Sequence, residues 1–304
     1  MSIKSRLPAA AILLAALPSE ALAQQAPGNA IEDRSRQQLR PPTESERGEA
    51  ILTGDTDIVL TQRTRLFTLS GSAGLSYTSN AFLAPASPVE DGFGQVQASL
   101  GVGTRIGGKV NVFASLGVAG LRYFDNKALN YNAFTGLVGA QASFGRLSVT
   151  ASYQPTIVLS GDFGSRQLTS HSLKLAAAVP VRVGPVVVEP HLAVERTLTD
   201  PSDYAAWSGN AGLTASMVLS RHHPIIAFAS IDYERRNFDS YFPGLVGVDR
   251  RDDRLTAGAG LVWKPFRAGE LRLSYNFQRN WSTSDVNRYA AHTGGLALSA
   301  ALRF

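Results

Sequence analysis

Apolar and polar residues alternate along most of this chain, from about Arg65 to its last residue. The pattern is clearest over Leu271–Trp281 and Trp207–Leu219, where apolar residues alternate with Ser, Thr, Asn, Gln or Arg at many positions. A period of two predicts β-strands with one apolar and one polar face. The predicted strands are Leu66–Thr78, Gly94–Ile106, Lys109–Tyr123, Tyr131–Phe144, Arg146–Leu159, Ser170–Val183, Val186–Thr197, Trp207–Leu219, Ile225–Phe238, Arg254–Lys264, Leu271–Trp281 and Arg288–Phe304.

The connections between these strands alternate between short and long. Gly107–Gly108, Gly145 and Gly184–Pro185 are short turns, whereas Ser79–Phe93 and Asp239–Asp253 are long loops. Outer-membrane barrels have short turns on one side and longer loops on the other, and about nine to eleven tilted residues cross the bilayer. A soluble β fold would need no such asymmetry. The pattern predicts an all-β fold, a single 12-stranded antiparallel transmembrane β-barrel over residues 64–304.

The N-terminal part differs in kind from the barrel. Residues 1–23 form a predicted signal peptide, with basic Lys4 and Arg6, an apolar middle and an Ala-x-Ala cleavage site at Ala21–Ala23. Residues 24–63 are polar, lack a period of two and are predicted to be a disordered periplasmic leader. The alternative is a short helix over Ala30–Leu39 that plugs the lumen or docks a periplasmic partner.

The last predicted strand ends the chain on an aromatic residue, Phe304. Leu296, Leu298 and Leu302 lie on one face of it, and the other face is small and polar. This strand resembles the closing strand of Gram-negative outer-membrane barrels. The resemblance implies a location in the cell outer membrane, contact with outer-membrane lipid, and barrel-assembly machinery that recognises Phe304 as an assembly signal.

Two further stretches extend the resemblance. Ser76–Phe82 (SYTSNAF) resembles the end of the first strand in a family of β-barrel porins. Glu234–Tyr289 is similar to the C-terminal barrels of those porins and, more weakly, of surface-lipoprotein assembly modifiers. No helical-repeat segment precedes the barrel, unlike in the assembly modifiers. The resemblance therefore implies a porin, and it supplies no catalytic residue.

Composition excludes several kinds of site. The chain has no cysteine, so it has neither disulfides nor thiolate metal ligands, and we expect no cofactor or metal. Its net charge of +5 comes from scattered basic residues, which argues against nucleic acid as a partner. Hydrolase chemistry is also disfavoured, because Ser170 and Ser172 lie on the strand face opposite to His171. The sequence places no histidine near the carboxylates of Glu195, Asp232 and Glu234. We therefore expect no enzyme.

The polar strand faces predict which side chains line the lumen. Many inward positions are Gly, Ala, Ser or Thr, which leave space for a pore. Basic residues near the turns would favour anions, whereas the alternative is that the charges pair across the lumen or lie in water at its rim. The predicted lumen-lining residues are Arg105, Lys109, Arg146, Lys174, Arg182, Glu189, His191, Glu195, Asp232, Glu234, Arg236, Arg254, Lys264, Arg272 and Arg303.

These features predict an outer-membrane pore for passive passage of small polar or anionic solutes. Two alternatives stay open. One is an export or assembly barrel for a polysaccharide or surface protein, working with periplasmic partners that dock on the leader. The other is a structural or adhesive surface barrel that uses the Asp239–Asp253 loop.

Overall fold

The computed structural model describes Ile31 and residues 67–107, 109–220, 222, 224–239, 249–266 and 268–304. The predictions for residues 1–23, and for the leader apart from Ile31, lie outside these described residues. In this part of the chain no helix is long and apolar enough to cross a membrane. The strands are β1 (Phe67–Thr78), β2 (Asp91–Ile106), β3 (Val110–Tyr123), β4 (Tyr131–Phe144), β5 (Leu147–Ser160), β6 (Arg166–Ala178), β7 (Val181–Val183), β8 (Val186–Asp200), β9 (Ala206–Ser220), β10 (Ile225–Phe238), β11 (Arg251–Phe266), β12 (Gly269–Ser282) and β13 (Tyr289–Arg303).

All described strands pair antiparallel with their neighbours in one closed sheet. β1 pairs with β13, and both β6 and β7 pair with β8. Because β6 and β7 share the edge of β8, they occupy one position in the wall, which gives a barrel of 12 strands. The predicted fold class is confirmed. The prediction of one continuous strand over Ser170–Val183 was wrong, because Pro180 interrupts it and proline has no N–H to donate to the ladder.

The first and last strands close the barrel at the side of the short turns. Backbone N–H groups of Phe67 and Phe304 each donate to the other residue's carbonyl oxygen at 3.1 Å. Their rings stack with centroids 6.0 Å apart. The first and last strands are thus joined along their whole length, from this pair to Thr78 opposite Thr293. No edge is left between them, as a membrane-spanning sheet requires.

One face of every long strand carries exposed apolar side chains around the outside of the barrel. Leu75, Leu116 and Leu192 are each more than 60% exposed, which is unfavourable in water and favourable in lipid. Exposed aromatic residues mark both ends of this band, as interfacial girdles do. At the turn side they are Phe67, Phe144, Trp263, Phe266 and Phe304, and at the loop side Tyr77, Trp207, Tyr233 and Trp281.

Several strands extend further toward the loops than the alternation alone predicts. β2 begins at Asp91 instead of Gly94, and β11 at Arg251 instead of Arg254. β6 begins at Arg166 and β8 runs to Asp200. Single-turn 3-10 helices, such as Lys127–Leu129 and Ser202–Tyr204, lie in the loops at this end. The wall of the barrel therefore rises above the apolar band on the loop side.

Candidate pore interior

The inward faces of β1 and β13 consist of small side chains. β1 turns Gly74, Ser70 and four other Thr or Ser residues inward. The hydroxyl groups of Ser70 and Ser99 form a hydrogen bond of 2.7 Å. From Ala291 to Ala301, β13 turns only Ala, Thr, Gly and Ser inward. In a ring of 12 strands the wall opposite β13 and β1 is formed by β6 and β8. This small-residue wall therefore leaves space in front of charged side chains.

We call the inward face of β6 and of β8 to β11 the charged wall. His191 and Asp232 lie in one row across β8, β9 and β10, with Gly212 between them. The His191 Nε2 and Asp232 Oδ1 atoms are 2.7 Å apart. A Cβ at Gly212 would lie 2.4 Å from each of these two atoms, so the contact depends on glycine. This pairing overturns the expectation that no histidine lies near Asp232.

Ion pairs continue the charged wall toward the loops. Arg254 donates to Glu234 across β10 and β11, and Arg236 Nε lies 3.9 Å from the same carboxylate. One step higher, Arg250 and Asp252 pair at 2.7 Å, and Ser282 donates to Asp252 at 2.6 Å. These groups are largely buried, and buried charges are tolerated when they are paired and hydrogen-bonded.

The β6–β8 side of the charged wall holds two more carboxylates. Glu195 accepts hydrogen bonds from Ser172 and, at 3.1 Å, from Thr197. Lys174 lies directly opposite Glu195 in the register of β6 and β8. Glu189 lies on the same inward face, near the turns, and is buried. Within the described residues, no group of three or more metal-ligating side chains has a spacing that could hold an ion.

The other side of the interior is an apolar cluster near the loops. Leu121, Tyr131 and Val158 turn inward from β3, β4 and β5 and are almost fully buried. Leu83 and Leu129 from the loops pack against them, so these loops fold into the mouth of the barrel. The remaining members are Ala81, Phe93, Ala119, Tyr123, Ala133, Leu168, Tyr289 and Ala291, together with Ile31.

Ile31 belongs to the leader and lies inside this apolar cluster. It is the one described residue before Phe67, and it is only 5% exposed. The small-residue lining predicts a free lumen provided that the leader stays outside. The position of Ile31 does not meet that condition, since at least this side chain is buried among inward-facing residues.

The basic residues predicted at the turn side take three kinds of position. Arg105, Arg182 and Arg272 are on inward faces, and the Arg272 guanidinium lies 4.5 Å from the centroid of the Phe228 ring. Lys264 also faces inward, with its Nζ 4.0 Å from Glu270. Lys109 and Arg146 lie in exposed turns before β3 and β5, not on the wall. The backbone of Arg303 pairs with Thr68; its side chain lies outside the described part.

Sequence reasoning missed inward residues at the loop ends of the strands. Arg250, Asp252 and Gln278 are buried there, and Gln278 donates to the Tyr289 hydroxyl at 2.7 Å. Asp252 is two positions before Arg254 and so shares its face. Extending the period of two beyond Arg254 would have found it.

At the loop side, most outward-facing arginines are paired with carboxylates. Arg196 holds Asp239 with a 2.6 Å hydrogen bond from Nη1, and this hydrogen bond lowers the pKa of the Asp239 carboxyl. Arg166 pairs with Asp200 at 2.6 Å, and Arg235 pairs with Asp253 at 3.0 Å. These pairs tie the loop ends of neighbouring strands together outside the lumen.

Comparison with known proteins shows likeness at the level of fold. No family model matches the chain, and no curated protein matches it. The translocator domain of the autotransporter NalP from Neisseria meningitidis is 18% identical, with a TM-score of 0.45 over 91% of this chain and 97% of that one. The β domain of the Bordetella autotransporter BrkA is 13% identical, with a TM-score of 0.47 over 78% and 100%. An anion-selective porin from Comamonas acidovorans is 10% identical, with a TM-score of 0.39 over 78% and 99%.

Likenesses with TM-scores this low support no conclusion about this chain, and its assignment rests on its own features. The apolar band, the aromatic girdles and the alternation of short turns with long loops are features of the chain itself. Together with the closed 12-strand sheet, they identify the chain as an outer-membrane β-barrel protein.

Proposed function

We propose that this barrel is an outer-membrane pore for passive passage of small polar or anionic solutes. One observation carries the proposal: the small-residue wall of β13 and β1 stands opposite the charged groups of β6 and β8. A solute that passes between these two walls meets charged groups on one side and no bulky side chain on the other. Charges that line a pore set its ion preference. Because the charges here are paired, the wall as a whole excludes neither anions nor cations.

The preference for anions comes from the turn side. Arg105 and Arg182 are exposed there on inward faces, and no described carboxylate pairs with either. A basic mouth raises the local concentration of anions and speeds their arrival. The deeper charges are balanced by partners, so the basic mouth selects solutes and the paired wall lets them pass.

Ile31 sets the basal level of permeation in this proposal. Its side chain fills space in the apolar cluster at the loop side, where the lumen is narrowed by the inward-folded loops. Replacing Ile31 with Asp would put a charge among apolar groups, which is unfavourable, and should release the segment. Ile31→Val keeps an apolar side chain and serves as the matched control.

Planar-bilayer recording of the purified full chain tests the proposal. We expect small steady openings from the wild type and from Ile31→Val, and larger ones from Ile31→Asp. A preference for chloride over potassium should appear in a salt gradient. Near-silence of all three proteins, with the barrel shown to be folded, would refute the pore.

A second function is favoured by the same isoleucine. Because Ile31 lies inside, the lumen accommodates at least part of a polypeptide, as an export or assembly barrel would need. That function predicts silence in bilayers and dependence on periplasmic partners. Conductance of the wild type therefore separates the two functions, since Ile31→Asp would open either barrel.

We also propose that the assembly machinery of the outer membrane recognises the terminal aromatic residue. Phe304 is 64% exposed on the lipid side of the closing pair, where another protein can reach it. Phe304→Ser should lower the amount of folded barrel in outer-membrane fractions. The same substitution at Phe144, an exposed aromatic at another turn, is the control; equal losses would argue against a terminal signal.

A further inference from the structure

The outer surface from β12 and β13 across β1 to β4 contains a groove in the lipid-facing band. Its volume is about 810 Å³, within the range of ligand pockets. Small residues form its floor: Ala73, Gly94, Ala98 and Gly120. Exposed apolar side chains rise at its borders, among them Leu75 and Phe134, and Val96 projects from the floor between Gly94 and Ala98. The outside of a barrel is convex, so a concave apolar stretch there is a local feature of this sequence.

Glycine is what keeps the floor low at the loop end of the groove. A Cβ at Gly94 would meet only the end of the Leu75 side chain, at 3.8 Å. A larger side chain at this position would therefore project into the groove without disturbing the wall. Strand interiors lose stability at glycine, so an unfilled space of this kind is a place where something else approaches the backbone.

Phe163 extends the groove from the loop between β5 and β6. Its ring is 57% exposed and lies 6.5 Å from the Phe134 ring, measured between centroids. Its backbone is left-handed, with φ of 63°, a conformation that bulky side chains rarely adopt. The N–H of Phe163 donates to the Ser160 carbonyl at 2.9 Å, which fixes the turn. The loop thus holds an apolar ring against the groove instead of releasing it to solvent.

Arg122 closes the loop end of the groove with a fixed positive charge. Its Nη1 donates to the Leu121 carbonyl at 2.9 Å and to the Tyr131 carbonyl at 2.7 Å. Its Nη2 donates to Asn132 Oδ1 at 2.6 Å and to the Gly161 carbonyl at 3.0 Å. All of these acceptors are neutral. Because the guanidinium is already ordered, an anion that binds it loses little further side-chain entropy.

The charge of Arg122 is not matched by a carboxylate within the part of the chain that the structure describes. Its outward-facing counterparts Arg166, Arg196 and Arg235 each have one, whereas Arg279 lies against the Trp281 ring instead. Asp162, in the loop above the groove, is instead engaged by Ser160 and by the Gly164 N–H at 3.0 Å. Arg122 therefore carries a positive charge that no described carboxylate neutralises, at the level where the apolar band ends.

We propose that this groove binds one phosphate-bearing lipid of the loop-side leaflet. An acyl chain lies along Gly94, Gly120 and Ala98, toward the middle of the membrane. A phosphate accepts a hydrogen bond from Arg122 Nε, the one N–H of this guanidinium for which the described residues hold no acceptor. Register supports this orientation: Arg122 lies beside Gly94, and Val118 beside Ala98 two rows deeper. The fixed charge of Arg122 attracts the phosphate, and a charge-assisted hydrogen bond from Nε adds to this attraction. The site does not depend on whether the lumen conducts.

Native mass spectrometry of the detergent-purified full chain with added lipid A tests the proposal. We expect a one-to-one complex with lipid A and at least tenfold weaker binding of diacylglycerol, which has acyl chains but no phosphate, on the order of one charged hydrogen bond. Inorganic phosphate at the same concentration should not compete, because it has no acyl chain. Equal binding of the two lipids, or competition by phosphate alone, would overturn the proposal.

Two matched pairs of variants locate the site. Gly94→Leu fills the groove, and Gly209→Leu adds the same side chain on β9, where a Cβ would meet nothing within 4 Å. Arg122→Gln removes the fixed charge, and Arg279→Gln removes an outward-facing arginine that lies 5.1 Å from the Trp281 ring centroid. We expect Gly94→Leu and Arg122→Gln each to weaken lipid A binding about tenfold, and the controls to leave it unchanged.

Each outcome of these variants decides whether lipid A binds in the groove. Equal loss in Gly94→Leu and Gly209→Leu, or in Arg122→Gln and Arg279→Gln, would refute a located site. Folding is checked by the shift in gel mobility between heated and unheated samples. If Arg122→Gln fails to fold, Gly94→Leu still decides, since it touches no hydrogen bond of Arg122.

Discussion

The two sides of the barrel interior differ, although the same alternation of residues encodes both. On β3 to β5, near the loops, inward residues such as Leu121, Tyr131 and Val158 pack into an apolar cluster. On β8 to β11 the inward residues are polar pairs, such as the hydrogen-bonded His191 and Asp232 and the ion pair of Arg254 with Glu234. The first side resembles the core of a soluble protein, and the second resembles the wall of a water-filled passage.

The two sides fit a barrel that is rigid on one side and, as we propose, permeable along the other. The apolar cluster holds the loops and Ile31 in the mouth through burial, which needs no particular partner. The charged wall keeps each group paired, so that the groups tolerate partial removal from water. Each side should therefore respond to a different kind of substitution.

The largest effect is expected in the apolar cluster. Leu121→Ala removes a side chain that is 2% exposed and leaves a cavity, which should lower the free energy of unfolding by about 2–5 kcal/mol. Urea unfolding of the barrel in detergent, followed by gel mobility, measures the change. Leu116→Ala is the control on the same strand, since Leu116 faces outward and is 71% exposed. Its effect should stay within about 0.5 kcal/mol. Similar losses in both variants would mean that the cluster is no core.

A smaller effect is expected where the charged wall depends on a glycine. Gly212→Ala places a Cβ 2.4 Å from His191 Nε2 and from Asp232 Oδ1, so that this pair must separate. Loss of one hydrogen bond to a charged group should lower the free energy of unfolding by about 1–3 kcal/mol. Gly209→Ala on the same strand meets nothing and should be neutral or slightly stabilising. The same urea experiment compares them, and an unaffected Gly212→Ala barrel would show that the pair contributes nothing.

The charged wall should also control ion preference, which the apolar cluster cannot. Asp232→Asn removes a negative charge from the lumen without changing the shape of the side chain. A unit charge at 4 Å in water is worth about 1 kcal/mol, so the chloride-to-potassium permeability ratio should rise by up to about fivefold. Asp253→Asn makes the same change on the outward face of β11, where it should leave the ratio unchanged. Reversal potentials in a salt gradient measure both variants, and a shift in the control alone would contradict the assignment of faces.

The sequence predicts the strands of this barrel well because alternation reports directly on which face meets lipid. Leu273 and Tyr275, for example, face outward as the period of two requires. The ends of the strands were harder, since residues such as Asp91 and Arg251 lie beyond the apolar band and carry no alternation of hydrophobicity. Pro180 was a visible signal, because a proline in a predicted strand indicates a break.

Pairs within the lumen could not be predicted in the same way. His191 and Asp232 are separated by a whole strand, and their meeting depends on the register of β8, β9 and β10 together. A shift by one residue on β9 would turn every side chain of a strand to the other face. Only the small residue at Gly212 hints at the contact, and many inward glycines look alike in the sequence. The apolar cluster was missed for a related reason: Leu121 and Tyr131 are apolar on the face that alternation assigns to water.

The smallest effect is expected outside the lumen, where Asp239 pairs with Arg196. The pKa of the Asp239 carboxyl is lowered by the hydrogen bond from Arg196, so the pair stabilises the fold above the ordinary carboxyl pKa of about 3.9. That stability is lost as the pH falls through the lower pKa of the folded state. Because both side chains are partly exposed, the contribution should be only about 0.2–1 kcal/mol. Wild type and Asp239→Asn should therefore differ by this amount in urea unfolding at pH 7 and converge below about pH 4, near that carboxyl pKa. In an Arg196→Gln protein, adding Asp239→Asn should no longer change the free energy of unfolding. If wild type and Asp239→Asn still differ as much in acid as at pH 7, Asp239 acts through some contact other than this ion pair.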